Sequence, residues 1–312
     1  MVREPVGTGR HAGGPRGVKA VTAPRAGAVP GSVVSVPNDL VIRQTTDGVT
    51  TLTMNNPRRL NGWTLEMLAE LRRAFAEAAR DPSTRAVVLT GAGDYYCAGV
   101  NLAGSIRLAH PAKLHAFIIE SNRTLFEMFL NFPKPIVAAV NGPAIGASVT
   151  SATLCNAIIT TERATFSTPF SALGVTPEGC SSVVFPRLLG ASAERMLGPE
   201  GWKPTGKQAA EIGLALRCVP QADLLDEAHR QARAWIDDGE GRRYPLGMSQ
   251  QELLEINARE STVLATAFLR PAFLHAQFEF LWRKKKRPLA LAFLALAKTQ
   301  PAWRLLLAPE AR

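Results

Sequence analysis

Apolar residues recur along this chain at two different spacings. Arg85-Ala86-Val87-Val88-Leu89-Thr90, Ile136-Val137-Ala138-Ala139-Val140 and Asn156-Ala157-Ile158-Ile159-Thr160-Thr161 are short, continuous and rich in β-branched residues. That pattern predicts parallel strands buried on both faces. Between them, Leu65, Leu68, Leu71, Phe75 and Ala78 repeat at helical spacing, with Glu66, Glu70, Arg72 and Arg73 on the opposite side and Thr64 placed to cap the helix. Residues 107–131 repeat the helical pattern through Leu114, Phe117, Ile118, Leu125, Phe126 and Met128. The order strand, helix, strand implies right-handed crossovers within one parallel sheet. Ahead of it, Leu40–Arg43 and Val49–Met54 flank Thr46-Asp47-Gly48 and read as an edge hairpin.

Beyond Pro186 the pattern turns helical, over Ala191–Leu197, Thr205–Ile212, Ala222–Asp237, Ser249–Ala265 and Ala272–Lys286. Val219-Pro220 ends the last extended piece. The apolar tract Leu289–Leu307 is broken by Lys298, Pro301 and Arg304, too often for a bilayer span. It is expected to pack at a subunit interface or fray, in preference to tethering the protein to a membrane surface. The expected divisions are a disordered extension over 1–36, an α/β core over 37–200, a helical region over 201–287 and an amphipathic tail over 288–312.

Composition narrows the class. A length of 312 residues with 46% hydrophobic and 20% charged residues is ordinary for a globular chain with a sizeable core. The formal charge of +10 is concentrated at two places, Arg3, Arg10, Arg16, Lys19 and Arg25 near the start and Arg283-Lys284-Lys285-Lys286-Arg287 near the end. A charge so confined to the ends disfavours nucleic acid as a partner. Cys97, Cys155, Cys180 and Cys218 are widely spaced, which signals neither a zinc site nor a redox pair and fits reduced thiols in the cytoplasm. The first residues lack the apolar core of a secretory signal, and organellar import is the minor alternative. His110 and His115 have no carboxylate or thiol at ligand spacing and are expected to be solvated or structural.

Chemistry is foreshadowed in two stretches. The strand Ile136–Val140 runs into the breakers Asn141-Gly142-Pro143, and the small residues Ala144–Cys155, headed by Gly146-Ala147-Ser148, follow as a helix. The first N–H groups of a helix lack internal partners and carry the positive end of its dipole, so they can hold a developing oxyanion. Thr176-Pro177-Glu178-Gly179 then sets a single carboxylate in a rigid turn among apolar residues. Gly91–Gly99 is a glycine-rich loop at a strand's carboxyl end, without the Gly-Lys-Ser/Thr of a phosphate loop. Together these features point to proton transfer beside a carbonyl.

The collinear motifs NPRRLNGWT, RAVVLTGAGDYYCAGVNL, FPKPIVAAVNGPAIGASVT, ATFSTPFSALGVTPEGC, FPRLLG and TGKQAAEIGLALRCV, spread over residues 38–285, resemble the crotonase superfamily, the enoyl-CoA hydratases and isomerases. The resemblance implies an α/β fold, a spiral of ββα units with a helical C-terminal trimerisation region, assembled as a homotrimer or hexamer. It implies an acyl-CoA substrate, no metal and no further cofactor. Carried over by position, the oxyanion donors are the N–H groups of Ala98 and Ala147, and the catalytic base is Glu178. Arg58, Arg59, Leu60, Gly99, Asn101, Gly146, Phe170 and Leu173 are implied to contact the substrate. The two glutamates of the family's hydratases correspond to Thr150 and Phe170 here, and neither transfers a proton. With TPFSALGVTPEGC and GDYY, the chain is most similar to the Δ3,Δ2-enoyl-CoA isomerases, in which one glutamate moves a proton from carbon 2 to carbon 4. Hydration with an unconventional water partner and a non-catalytic binding module are the alternatives.

Overall fold

In the computed structural model, residues 39–100 and 110–307 are described. They belong to one unit, Val34–Arg312. The extension expected over 1–36, the site candidate Asn101, the first three residues of the helix expected over 107–131 and the last five residues of the tail lie outside the described residues.

The hairpin expected near the start forms from β1 (Val41–Thr46) and β2 (Val49–Met54), turning through Asp47 and Gly48 with positive φ. After α1 (Leu65–Arg80) and β3 (Ala86–Gly91) come α2 (Pro111–Leu130) and β4 (Ile136–Val140). Next are the two-residue strand β5 (Ala144–Ile145), α3 (Ala147–Thr153), β6 (Ala157–Thr161) and the two-residue β7 (Phe166–Ser167). The helices α4 (Phe170–Leu173), α5 (Ser181–Leu189), α6 (Ala191–Leu197) and α7 (Gly206–Glu211) follow, and then β8 (Arg217–Val219). The chain continues through α8 (Leu224–Asp237), α9 (Gln250–Phe268), α10 (Pro271–Arg283) and α11 (Arg287–Trp303).

The main sheet runs in the order β1-β2-β3-β4-β6-β8, antiparallel at the β1–β2 edge and parallel elsewhere. Its central strands read as unbroken apolar runs because each buries both faces. Val87 and Leu89 of β3 and Ala138 and Val140 of β4 join α1 and α2 in one core, with Phe75, Phe126 and Phe129. The alternate residues Ala86, Val88, Val137 and Ala139 pack on Leu224, Ala228, Ala232 and Trp235 of α8. The period of two along each strand therefore divides one sequence run between two separate cores.

The helical part begins earlier than expected, since α5 starts at Ser181 and holds Pro186 within it, and two further elements differ from the sequence reading. The helix expected from Ala144 starts at Ala147, because Ala144 and Ile145 pair with Phe166 and Ser167 as a second, two-stranded sheet. Gly146, with φ 60°, makes the corner between strand and helix. The C-terminal tract neither frays nor stands apart from the chain. It forms α11, which turns back at Lys285 (φ 58°) and buries Ala290, Phe293 and Ala297 against Phe273, Leu274 and Leu281 of α10. The basic run occupies this turn, with Arg287 placed over the Trp282 ring at 3.5 Å. No helix among the described residues is long and apolar enough to cross a membrane.

His110 and His115 make local side-chain contacts. His110 caps α2 by accepting the Ala112 N–H at 3.3 Å, and His115 lies 3.1 Å from the Thr266 hydroxyl. Burial pushes the Cys97 and Cys155 thiols up to about 12, so both stay protonated at neutral pH.

Candidate active site

A cavity of about 190 Å³ opens where the carboxyl ends of β3 and β4 meet α2, α3 and α9. Of the site residues named from the sequence, Glu178, Ala98, Gly99, Gly146, Ala147, Phe170 and Leu173 line it. Arg58, Arg59 and Leu60 do not. They occupy an exposed turn at Pro57–Arg59 beside the glycine-rich loop.

Backbone bonding decides which amides face the cavity, and it corrects one assignment. The Ala98 N–H donates to the Leu60 carbonyl at 3.0 Å, so Ala98 is not available as an oxyanion donor. The carbonyl of that same peptide, on Cys97, accepts from the Ile145 N–H and the Ser148 hydroxyl, each at 3.0 Å. Both ends of the Cys97–Ala98 unit are thus engaged. One peptide further on, the Gly99 carbonyl accepts from the Trp63 N–H at 2.8 Å. A planar trans peptide holds its C=O and N–H in opposite directions, so the Val100 N–H points away from Trp63. Val100 lines the cavity.

The same reasoning applies at α3. The Gly146 carbonyl points along the helix, accepting from Val149 (2.9 Å) and Thr150 (3.3 Å), so the Ala147 N–H points out of the helix N-terminus. Gly99 is what lets the two segments approach. A Cβ there would lie 2.4 Å from the Ile145 carbonyl oxygen and 4.0 Å from the Ala147 nitrogen, and its φ is +77°. The Val100 and Ala147 amides are therefore the available pair.

Glu178 lines the same cavity from a turn with two successive residues of positive φ, Gly179 (φ 63°) and Cys180 (φ 65°). A Cβ on Gly179 would meet the Phe126 ring at 2.4 Å and the Thr150 hydroxyl at 2.7 Å. Glu260 on α9 holds the turn from below: its two carboxylate oxygens accept the Cys180 N–H at 2.6 Å and the Ser182 N–H at 2.8 Å, at the start of α5. Glu260→Ala leaves the buried Cys180 N–H unpaired, whereas the Ser182 N–H, on an exposed residue, is open to water. For one buried donor the loss of stability is expected to be about 1–3 kcal/mol, read by urea unfolding.

Glu178 is only 9% exposed. Burial pushes its carboxyl up to about 7, the nearby Glu260 adds to the rise, and a hydrogen bond from Asn122 opposes both. In that bond Asn122 Nδ2 donates to Oε2 at 2.5 Å, and the Ser261 hydroxyl, 2.9 Å from Asn122 Oδ1, fixes the amide's orientation. Among the described residues lining the cavity, Glu178 is the single ionisable one. Phe170 occupies one of the hydratase glutamate positions as a buried wall residue, and Thr150 at the other turns its hydroxyl to the Ala147 carbonyl at 3.3 Å.

Two participants escaped the sequence reading. Asn122 had a legible signal, since it is a polar residue on the buried stripe Ile118, Asn122, Leu125, Phe126 and Phe129 of α2. Val100 had none, because the direction of a peptide unit appears only once its hydrogen-bond partner is placed.

An α/β spiral with paired amides and one buried carboxyl over an apolar cavity defines a class, and comparison with known proteins identifies it. The family model for enoyl-CoA hydratase/isomerase matches residues 44–244, and the chain belongs to that family. It is 34% identical over 250 residues to human enoyl-CoA delta isomerase 2, covering 77% of this chain and 62% of that protein. It is 32% identical over 251 residues to mouse enoyl-CoA delta isomerase 3, peroxisomal, covering 78% of each. The chain thus spans less than two thirds of the human relative. Among solved structures, an enoyl-CoA hydratase/isomerase from Pseudoalteromonas atlantica shares its fold, with a TM-score of 0.64 at 24% identity over 78% of this chain and 97% of that one. The crotonase fold expected from the motifs is the fold of this chain.

Proposed function

We propose that the protein is an enoyl-CoA isomerase that moves a double bond from carbon 3 to carbon 2 of an acyl-CoA. The observation that carries this reading is the lone carboxyl, Glu178, standing in an apolar cavity with the Val100 and Ala147 amides. With the thioester oxygen held by those two N–H groups, the Glu178 carboxylate takes a proton from carbon 2. The electron pair left behind spreads over the dienolate, with negative charge on the thioester oxygen. The protonated carboxyl then returns the proton to carbon 4, and the double bond settles between carbons 2 and 3. One base suffices because it is regenerated each turn, and the balance calls for no metal or redox partner.

Each amide donor is worth about 3 kcal/mol of transition-state stabilisation. A carboxyl poised near neutrality is well matched to a weakly acidic α-proton. Phe170, Leu173 and Val175 keep water from the dienolate. In this reading the exposed Arg58 and Arg59 meet the phosphates of coenzyme A. Assembly as a trimer or hexamer and a cytoplasmic location complete the proposal.

Incubation with a 3-enoyl-CoA is expected to yield the conjugated 2-enoyl product, and incubation with a 2-enoyl-CoA to yield no 3-hydroxyacyl product. Formation of the 3-hydroxyacyl-CoA as the main product would replace this reading with hydration.

The pH profile offers a sharper check. The base must be ionised, so kcat/KM rises with pH through about 7. Asn122→Leu removes a donor that favours the carboxylate. The inflection is expected to move upward and the rate at neutral pH to fall, measured as kcat/KM against pH. An inflection that stays in place removes Asn122 from the mechanism.

A further inference from the structure

Next to the reaction cavity lies a second one of about 200 Å³, and the two share a wall formed by Ile118 of α2 and Phe268 of α9. The far cavity is lined by Leu114, Leu274, Leu296 and Trp303, drawn from α2, α10 and α11. Its polar atoms are accounted for, since the Trp303 indole N–H donates to the Leu296 carbonyl at 3.1 Å. Phe268 is braced by stacking on Phe273, with ring centres 4.4 Å apart and planes 3° from parallel. An apolar pocket of this kind gains by taking up an apolar occupant, whose surface it removes from water. Nothing in the proton transfer needs α11, yet α11 supplies Leu296 and Trp303.

We infer that the far cavity receives the end of the substrate's own acyl chain, which passes Ile118 and Phe268 from the reaction cavity, so that the enzyme prefers long, straight acyl groups. This inference rests on the acyl-CoA reading of the reaction cavity. Ile118, an unstacked aliphatic side chain, is the element that turns aside, a motion rapid on the scale of turnover. Each further methylene buried contributes about a fourfold gain in kcat/KM, so a few carbons beyond the shared wall amount to tenfold or more.

The test uses the full chain with a series of 3-enoyl-CoAs, hexenoyl, decenoyl and tetradecenoyl. Wild-type kcat/KM is expected to rise by about tenfold or more from hexenoyl to tetradecenoyl. Leu296→Trp fills the far cavity and is expected to lower the tetradecenoyl-to-hexenoyl ratio by about tenfold. Trp303→Ala enlarges it and is expected to shift the optimum towards longer chains, which keeps the test open if the first variant does not fold. A flat wild-type profile, or an unchanged ratio in a folded Leu296→Trp protein, overturns the inference. If no chain length turns over, the isomerase reading fails by itself. Dissociation constants for the matching saturated acyl-CoAs then decide the chain-length inference, with tighter binding of tetradecanoyl-CoA lost in Leu296→Trp supporting it and length-independent binding overturning it.

Discussion

Glu178→Gln is expected to lower kcat for 3-enoyl-CoA by about three to four orders of magnitude while leaving acyl-CoA affinity nearly unchanged. Gln keeps the shape of the side chain and still accepts the Asn122 Nδ2–H bond seen at 2.5 Å, so what is removed is the basic oxygen. The same substitution is expected to stabilise the fold at alkaline pH. Burial disfavours the charge and pushes the carboxyl from its ordinary 4.5 up to about 7 in the folded chain. A raised acid of this kind is fully accommodated below the unfolded value, and its contribution is lost as pH rises through about 7. Above that pH the wild type carries a penalty of roughly 3 kcal/mol that the neutral Gln does not. Paired urea titrations at pH values either side of the window check this: the two proteins converge in acid, and the variant gains in base. A variant that is both fully active and no more stable in base removes Glu178 from the mechanism.

Ala147→Pro is expected to lower kcat by about two to three orders of magnitude with the helix intact. Ala147 is the first residue of α3, where proline is well tolerated because no helical bond uses that N–H. Gly146 before it has no side chain to meet the ring. The substitution deletes one hydrogen-bond donor and sets the ring Cδ where that N–H pointed, so Val100 alone is left to hold the thioester oxygen and the oxygen's place is narrowed as well. Circular dichroism separates this outcome from unfolding, and wild-type turnover in the variant excludes the Ala147 amide from the reaction.

The sheet was legible because its central strands are two-faced: an unbroken run such as Ile136–Val140 fits few other roles. Glu178 was legible because Pro177 and Gly179 flank it in an apolar stretch, and the turn they predict is the one that aims the carboxyl into the cavity. The start of α3 was not, since Ala144 and Ile145 are as compatible with a helix as with a strand and only their pairing with Phe166 and Ser167 decides the matter. The availability of the Val100 amide in place of that of Ala98 is hidden in the sequence for a related reason. Two neighbouring amides in one loop differ in which way their peptide planes face, and that is set by Leu60 and Trp63, distant in sequence. The tail over Leu289–Leu307 carried too mixed a pattern to reveal that α10 would cover it.

Hydrogen transfer between the substrate carbons tests the proton shuttle most directly. With the protein and a 3-enoyl-CoA deuterated at carbon 2, in ordinary water, the account predicts deuterium carried to carbon 4 of the 2-enoyl product, with neither product nor transfer in Glu178→Gln. Product whose carbon 4 holds hydrogen from water alone, or recovery of unconverted 3-enoyl-CoA from folded wild-type protein that binds it, would contradict the account.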